Sequence, residues 1–185
     1  LDTNSYIEEI WAYGYWAIDR CARIIKEGTS FKEVTKGDLT EVEGCIAQAY
    51  AIKALCSFYL TNMFGLPYSE ANKTTLGIVN VTEPVPAYSQ VSRVSVEQNY
   101  SLILDDITKA KEYYAKEGVE NVGKQYMNTA AVAALEARVK LYMKNYEGAI
   151  TAAQEAITLS GGTIVSTKED YKNMYTTLAV STEDI

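Results

Sequence analysis

The chain has no histidine, so triads and metal sites that depend on an imidazole are excluded. The other groups able to do chemistry are poorly placed for it. Glu8-Glu9 and Asp105-Asp106 are neighbouring carboxylates in helical sequence. Adjacent positions on a helix point apart, whereas glycoside cleavage needs two carboxyls facing one another across the bond. These acidic residues are therefore expected to be solvated faces and caps. No nucleophile has a base beside it, and no glycine-rich phosphate loop is present. The three cysteines (Cys21, Cys45, Cys56) lack metal-ligand spacing and fall in apolar helical patterns, so they are expected to be buried small hydrophobes. No catalytic residue, metal or cofactor is expected.

Rings are what the chain has in excess: 15 tyrosines and two tryptophans in 185 residues. Aromatic side chains combine a flat apolar face with a polar edge. Trp16 is the conspicuous case. It lies about 160° round the helix from the stripe centred between Ile7 and Ile18, so the core beneath that stripe cannot bury it. Either Trp16 packs on another part of the protein or it touches a ligand. Tyr13 and Tyr15 also lie off the stripe. Tyr68, Asn72 and Tyr88 lie in the one long stretch without helical period. Trp16, Tyr13, Tyr68, Asn72 and Tyr88 are the candidate ligand-binding set.

The elements that must position them are helical. A first helix is expected from Tyr6 to Glu27, opened by a Ser5/Glu8 capping box and closed by Gly28. Ile7, Ile10, Trp11, Gly14, Ile18, Cys21 and Ile25 form its stripe. A second helix, Glu41–Phe64, has a Thr40/Glu43 box, ends at Gly65 and Pro67, and is apolar on every side, which implies a sandwiched position. A third follows Ser95, with Gln98 completing its box, and Tyr100, Ile103, Leu104, Ile107, Ala110, Tyr113 and Tyr114 on one face. The stretch 128–160 is a hairpin of two helices broken at Lys144-Asn145. Asn145 caps the second, Tyr146 plugs the bend, and Gly161-Gly162 stops it. Ala149, Ala153 and Ala156 are expected to line its packing face opposite Ala137. Between the second and third helices, 65–94 contains all three prolines and a β-like Leu76–Val79, and should run ordered over the surface. Turn and strand character is expected from Thr163 onward, around Tyr171, Met174 and Tyr175. The fold expected is all-α: five principal helices in tetratricopeptide-like antiparallel hairpins, with one long irregular loop.

Apolar residues make up 48% of the chain, which marks it as globular, and the net charge of −7 argues against nucleic acid or an anionic membrane as partner. No apolar run is long enough to cross a bilayer. The chain starts with Leu1 and shows no signal peptide, so residues 1–185 are expected to be a single domain cut from a longer chain.

Four passages resemble the SusD/RagB family of outer-membrane nutrient-binding lipoproteins. AYAIKALCSFYLTNMFGLPYSEA is similar to that family's helix-into-loop passage, with Lys53-Ala54 where the family has Arg-Ala. In RVSVEQNYSLILDDITKAKEYY, Arg93, Val96, Tyr100, Ile103, Asp106 and Ala110 match and Ile107 replaces Leu. The 128–160 hairpin is similar to a third passage. Tyr171, Glu183 and Ile185 resemble the fourth. In the first helix Tyr15 and Ile18 match, but Cys21-Ala22 replaces an Ala-Asn pair. The resemblance implies surface binding of an oligosaccharide or polysaccharide, delivery to a SusC-like TonB-dependent transporter, and attachment to the outer membrane only through an N-terminal lipid anchor outside this chain. Family members are much longer and have a less regular C-terminal region that holds much of their glycan-contacting surface. The candidate residues Trp16, Tyr13, Tyr68, Asn72 and Tyr88 come from their positions, not from the family. The alternative is a tetratricopeptide adaptor that holds a peptide in its concave face; such an array needs no loop like 65–94 and would repeat the hairpin's alanine register.

Overall fold

The computed structural model describes residues 4–163 and 165–176. Among them are six helices: α1 (Ser5–Val34), α2 (Thr40–Phe64), α3 (Val96–Tyr114), α4 (Thr129–Tyr142), α5 (Tyr146–Ser160) and α6 (Lys168–Thr176). From α1 to α5 each helix packs on the next in chain order, so α2 lies between α1 and α3. The all-α hairpin architecture is as expected, with a sixth helix where the tail was expected to turn and extend. Glu183 and Ile185, part of the fourth matching passage, lie outside the described residues.

The described residues form two cores. The larger joins α2, α3 and α4 through Ala47, Ala51, Ala54, Phe58, Tyr100, Ile103, Ile107, Ala110, Val132 and Val139. Alanines on the α3-facing side of α2 bring the backbones close enough for the aromatic and β-branched residues of α3 and α4 to fill the space. Lys111 of α3 then reaches Glu136 of α4 (2.5 Å) and Glu155 of α5 (2.6 Å), linking three helices. The smaller core contains Ile18 and Ala22 of α1, Leu60 of α2, and Ile78 and Val81 of the long connection. That connection therefore does more than run over the surface: two of its valine and isoleucine side chains are structural.

Several helix ends differ from expectation. Asn4, not Ser5, caps α1, accepting from the Tyr6 amide. The helix continues past Gly28, whose missing side chain serves packing: a Cβ there would lie 2.9 Å from Ile46 of α2. Gly14 plays the same part, since its Cβ would lie 2.8 Å from Leu60. Ile7 and Ile10, at the start of the expected stripe, are exposed. At α2, Thr40 is the first helical residue and Leu39 the cap, without a side-chain bond. Glu43 is drawn away by Lys32 of α1 and by Lys116 (2.6 Å) just beyond α3. Of the three expected boxes, only Ser95/Gln98 forms in full, with both reciprocal bonds.

In the hairpin, Asn145 caps α5 through the Gly148 amide, Lys144 takes the left-handed conformation at the break, and Gly161 does so at the stop. The buried alanines are Ala149, Ala152 and Ala156; Ala153 is exposed, because the packing stripe follows i, i+3, i+7. Tyr146 is also exposed and does not plug the bend. Cys21 is buried, Cys56 partly so and Cys45 exposed; all three are free thiols, and Cys45 is thus not the buried hydrophobe expected.

Candidate functional site

The connection 65–94 has hardly any ladder of its own. A single antiparallel bridge joins Leu76 to Ser95, with the Gly77 amide donating to Val94 O (2.7 Å) and the Val94 amide to Ile78 O (3.0 Å). Turn bonds such as those from the Asn72 and Lys73 amides to Ser69 O satisfy part of the rest, and the buried backbone of 77–81 is met by side chains reaching out from the helices, as buried peptide groups require. Tyr15 of α1 both accepts from the Val79 amide (2.8 Å) and donates to Val79 O (3.1 Å). Asn99 of α3 accepts from the Ile78 amide (2.8 Å) and donates to Ile78 O (3.1 Å) and to Asn80 Oδ1 (2.6 Å). Gly77 must be glycine here, since a Cβ would fall 1.8 Å from Asn99 Oδ1. Arg93 donates to Gly77 O and to Phe64 O, joining the two ends of the connection.

Lys53 is the deepest of these anchors. It is buried in α2 and donates both to Val81 O (3.3 Å) and to Asp106 Oδ1 of α3 (2.9 Å). Asp106 is thus not on a solvated face but inside, and its Oδ2 has no hydrogen-bond partner. Burial outweighs the attraction of Lys53 and pushes the Asp106 carboxyl up to about 6. Burial likewise pushes the Tyr15 hydroxyl up to about 12, so it stays protonated and can keep donating to Val79 O.

Val79 and Val81, fixed in this way, and Val85 and Val91 further along face α1 across an open groove of about 350 Å³, with Trp11, Tyr15, Trp16, Asp19 and Arg23 on the helix side. Trp11 is wedged between Tyr15 and Phe64, ring centroids 4.8 Å away in each case. Trp16 is 60% exposed, and Tyr13 meets it edge to face at 5.4 Å. Asp19 and Arg23, one turn apart, pair at 2.7 Å at the rim.

Of the five candidate residues, the structure brings Tyr13 and Trp16 together. Tyr68 packs edge-on against Tyr100 at 4.9 Å and joins the periphery of the large core. Asn72 is engaged in the turn after α2, donating to Pro67 O (3.0 Å). Tyr88 stands fully exposed at a left-handed position. Trp11, Asp19, Arg23 and the valine wall were missed as site residues. The i, i+4 spacing of Asp19 and Arg23 was visible, whereas nothing periodic marked the valines. Among the described residues no cluster of His, Cys, Asp and Glu could hold a metal ion, and no helix is long and apolar enough to cross a membrane.

This arrangement of paired helices carrying an anchored loop has known counterparts. The family model described as "Starch-binding associating with outer membrane", of the SusD-like group, matches residues 2–141. The chain belongs to that family. A SusD superfamily protein from Bacteroides thetaiotaomicron is 28% identical, with a TM-score of 0.76 over 89% of this chain and 35% of its own. A protein from Bacteroides vulgatus is also 28% identical, with a TM-score of 0.79 over 95% of this chain and 38% of its own. A laminarin-binding SusD-like protein, 20% identical with a TM-score of 0.66, shares the fold over 90% of this chain and 34% of its own. The chain thus spans little more than a third of the length of the structures it matches. No curated protein matches it.

Proposed function

We propose that this chain is the helical part of a glycan-binding protein at the bacterial cell surface. It captures oligosaccharides or polysaccharide ends and passes them to a SusC-like TonB-dependent transporter. The parent protein is held to the outer membrane by a lipid at its N-terminus, and residues 1–185 form one domain of it. Family membership over residues 2–141 is the observation that carries this reading. The exposed Trp16–Tyr13 pair supplies the physical means, since rings that stand out of the core can stack on the apolar face of a sugar. Tyr88, fully exposed, can add to that surface, and Tyr68 and Asn72 offer edges at the turn after α2. No step in this function requires turnover.

The test is binding of the full-length protein to a broad oligosaccharide panel, followed calorimetrically and by chromatography of the sugars afterwards. Binding with every sugar recovered intact is the expected result. Cleavage that survives repurification and disappears with one carboxylate substitution would overturn the non-catalytic reading. Co-purification of a large outer-membrane transporter from the native membrane tests the partner.

A further inference from the structure

The groove behind Trp16 has a composition that selects among sugars. Its helix wall offers rings, its opposite wall offers valines, and the polar groups between them are few. The Tyr15 hydroxyl is spent on Val79, both donating and accepting. That leaves Asp19 and Arg23. Arg23 donates through Nε to one Asp19 oxygen (2.7 Å) and through a terminal nitrogen to the other (3.3 Å). The pair is therefore locally neutral. It still presents unused guanidinium donors and carboxylate lone pairs side by side. Trp16 and Val91, 60% and 53% exposed, stand as apolar surface at the same opening.

We propose that this groove is a subsite for the end or a short stretch of a neutral sugar chain. Trp16 takes the ring face, and the Asp19–Arg23 pair takes hydroxyls that must both donate and accept. This rests on the glycan-binding reading above. The neutral class follows from charge. A uronate or sulfate is favoured by a cation with no partner, and the cation here is already compensated, beside a carboxylate that repels anions, in a chain of net charge −7. The short length follows from volume. About 350 Å³ is near the lower end of ligand pockets, which run from about 300 to 1,000 Å³. The anchors on Val79 and Val81 keep the far wall in place with the groove open.

The experiment uses the full-length protein with 5-fluorotryptophan incorporated, the Trp11 and Trp16 signals being assigned with single Trp→Phe variants. Neutral gluco-, manno-, xylo- and galacto-oligosaccharides are titrated in parallel with oligogalacturonides. A neutral pool should bind and move the Trp16 signal, while oligogalacturonides should not. Trp16→Ala should weaken that binding about two- to ten-fold with the thermal midpoint kept. Asp19→Asn preserves shape but frees the Arg23 charge, so it should gain oligogalacturonide binding. A structural role alone would not produce that gain. Calorimetric sugar binding that leaves both fluorine signals still would place the ligand elsewhere, overturning the groove while leaving the glycan reading standing. Oligogalacturonides that bind the unmodified groove, or no gain in Asp19→Asn, would overturn the neutral class. A Trp16 shift produced by apolar peptides and by no sugar would overturn both.

Discussion

Lys53 holds a carboxylate with one hydrogen bond and a loop carbonyl with another, from inside the protein. Removing only the lysine strands a buried carboxylate, so Lys53→Met should lower stability by about 3–5 kcal/mol. The double variant Lys53→Met/Asp106→Leu should regain part of it, because an apolar pair has no desolvation cost to offset, while the Val81 carbonyl still lacks its donor. Urea midpoints of the single and double variants check this. The pH response has a defined sign. In the folded state the Asp106 carboxyl is pushed up to about 6, above its ordinary 3.8, so the fold holds that proton longer than the unfolded chain. Its contribution is fully present below about 3.8 and is lost as pH rises through about 6. Relative to Asp106→Asn, the midpoint of the unsubstituted protein should therefore fall between pH 4 and pH 7; a parallel pair of curves would show that the carboxyl is not perturbed. At Tyr15 the expectation is simpler. Tyr15→Phe removes both bonds to Val79 and should cost about 1–3 kcal/mol. Lys53, Tyr15 and Asp106 all stand in the family-like passages, yet Asp106 was expected on a solvated face and Lys53 was noted only where the family has Arg. Their burial was not legible, since a lone charged or phenolic residue on a helix gives no sign of the loop that will cover it.

The existence and order of α1 to α5 were legible from their apolar patterns, and the α3 cap from its Ser95/Gln98 spacing, whereas α6, polar with no buried residue, was not. Boundaries were less legible, because the same spacing at Ser5/Glu8 and Thr40/Glu43 does not form boxes: Asn4 caps first, and Glu43 finds Lys32 and Lys116. Gly28 resembles a stop, yet its role is close approach to Ile46. The hairpin was right in outline and off by one alanine. That difference can be measured. Ala152→Leu should overpack the α4–α5 seam and cost about 1–3 kcal/mol. Ala153→Leu, on the exposed side, should stay within about 0.5 kcal/mol. Equal shifts in denaturant midpoint for the two would contradict the packing register.

Across the molecule, α1 to α3 form a frame and residues 65–94 a facing fastened to it. On the helical side of the groove only Trp16 was legible, since it falls off its helix stripe by period; Trp11 sat on that stripe and read as core. The valine half was not legible, because nothing in an aperiodic run says which residues will face a helix some sixty positions away. Hydrogen exchange should separate frame from facing. Amides of Ile78 and Val79, held by Asn99 and Tyr15, should exchange slowly, while exposed positions such as Thr82, Glu83 and Gln90 exchange fast. Rapid exchange at Ile78 and Val79 would mean the facing is loosely held. The anchors share a property: Tyr15, Asn99, Lys53 and Arg93 grip the main chain of residues 77–81, not its side chains, apart from the one bond to Asn80. A peptide group is the same whatever residue bears it. Residues 86–92, all exposed, can therefore be rewritten, by evolution or by an engineer, without retuning the helices, whereas Val85 packs on the smaller core. The molecule is a mount with an interchangeable faceplate, and a library confined to those positions would vary what is bound while leaving the fold's stability nearly untouched.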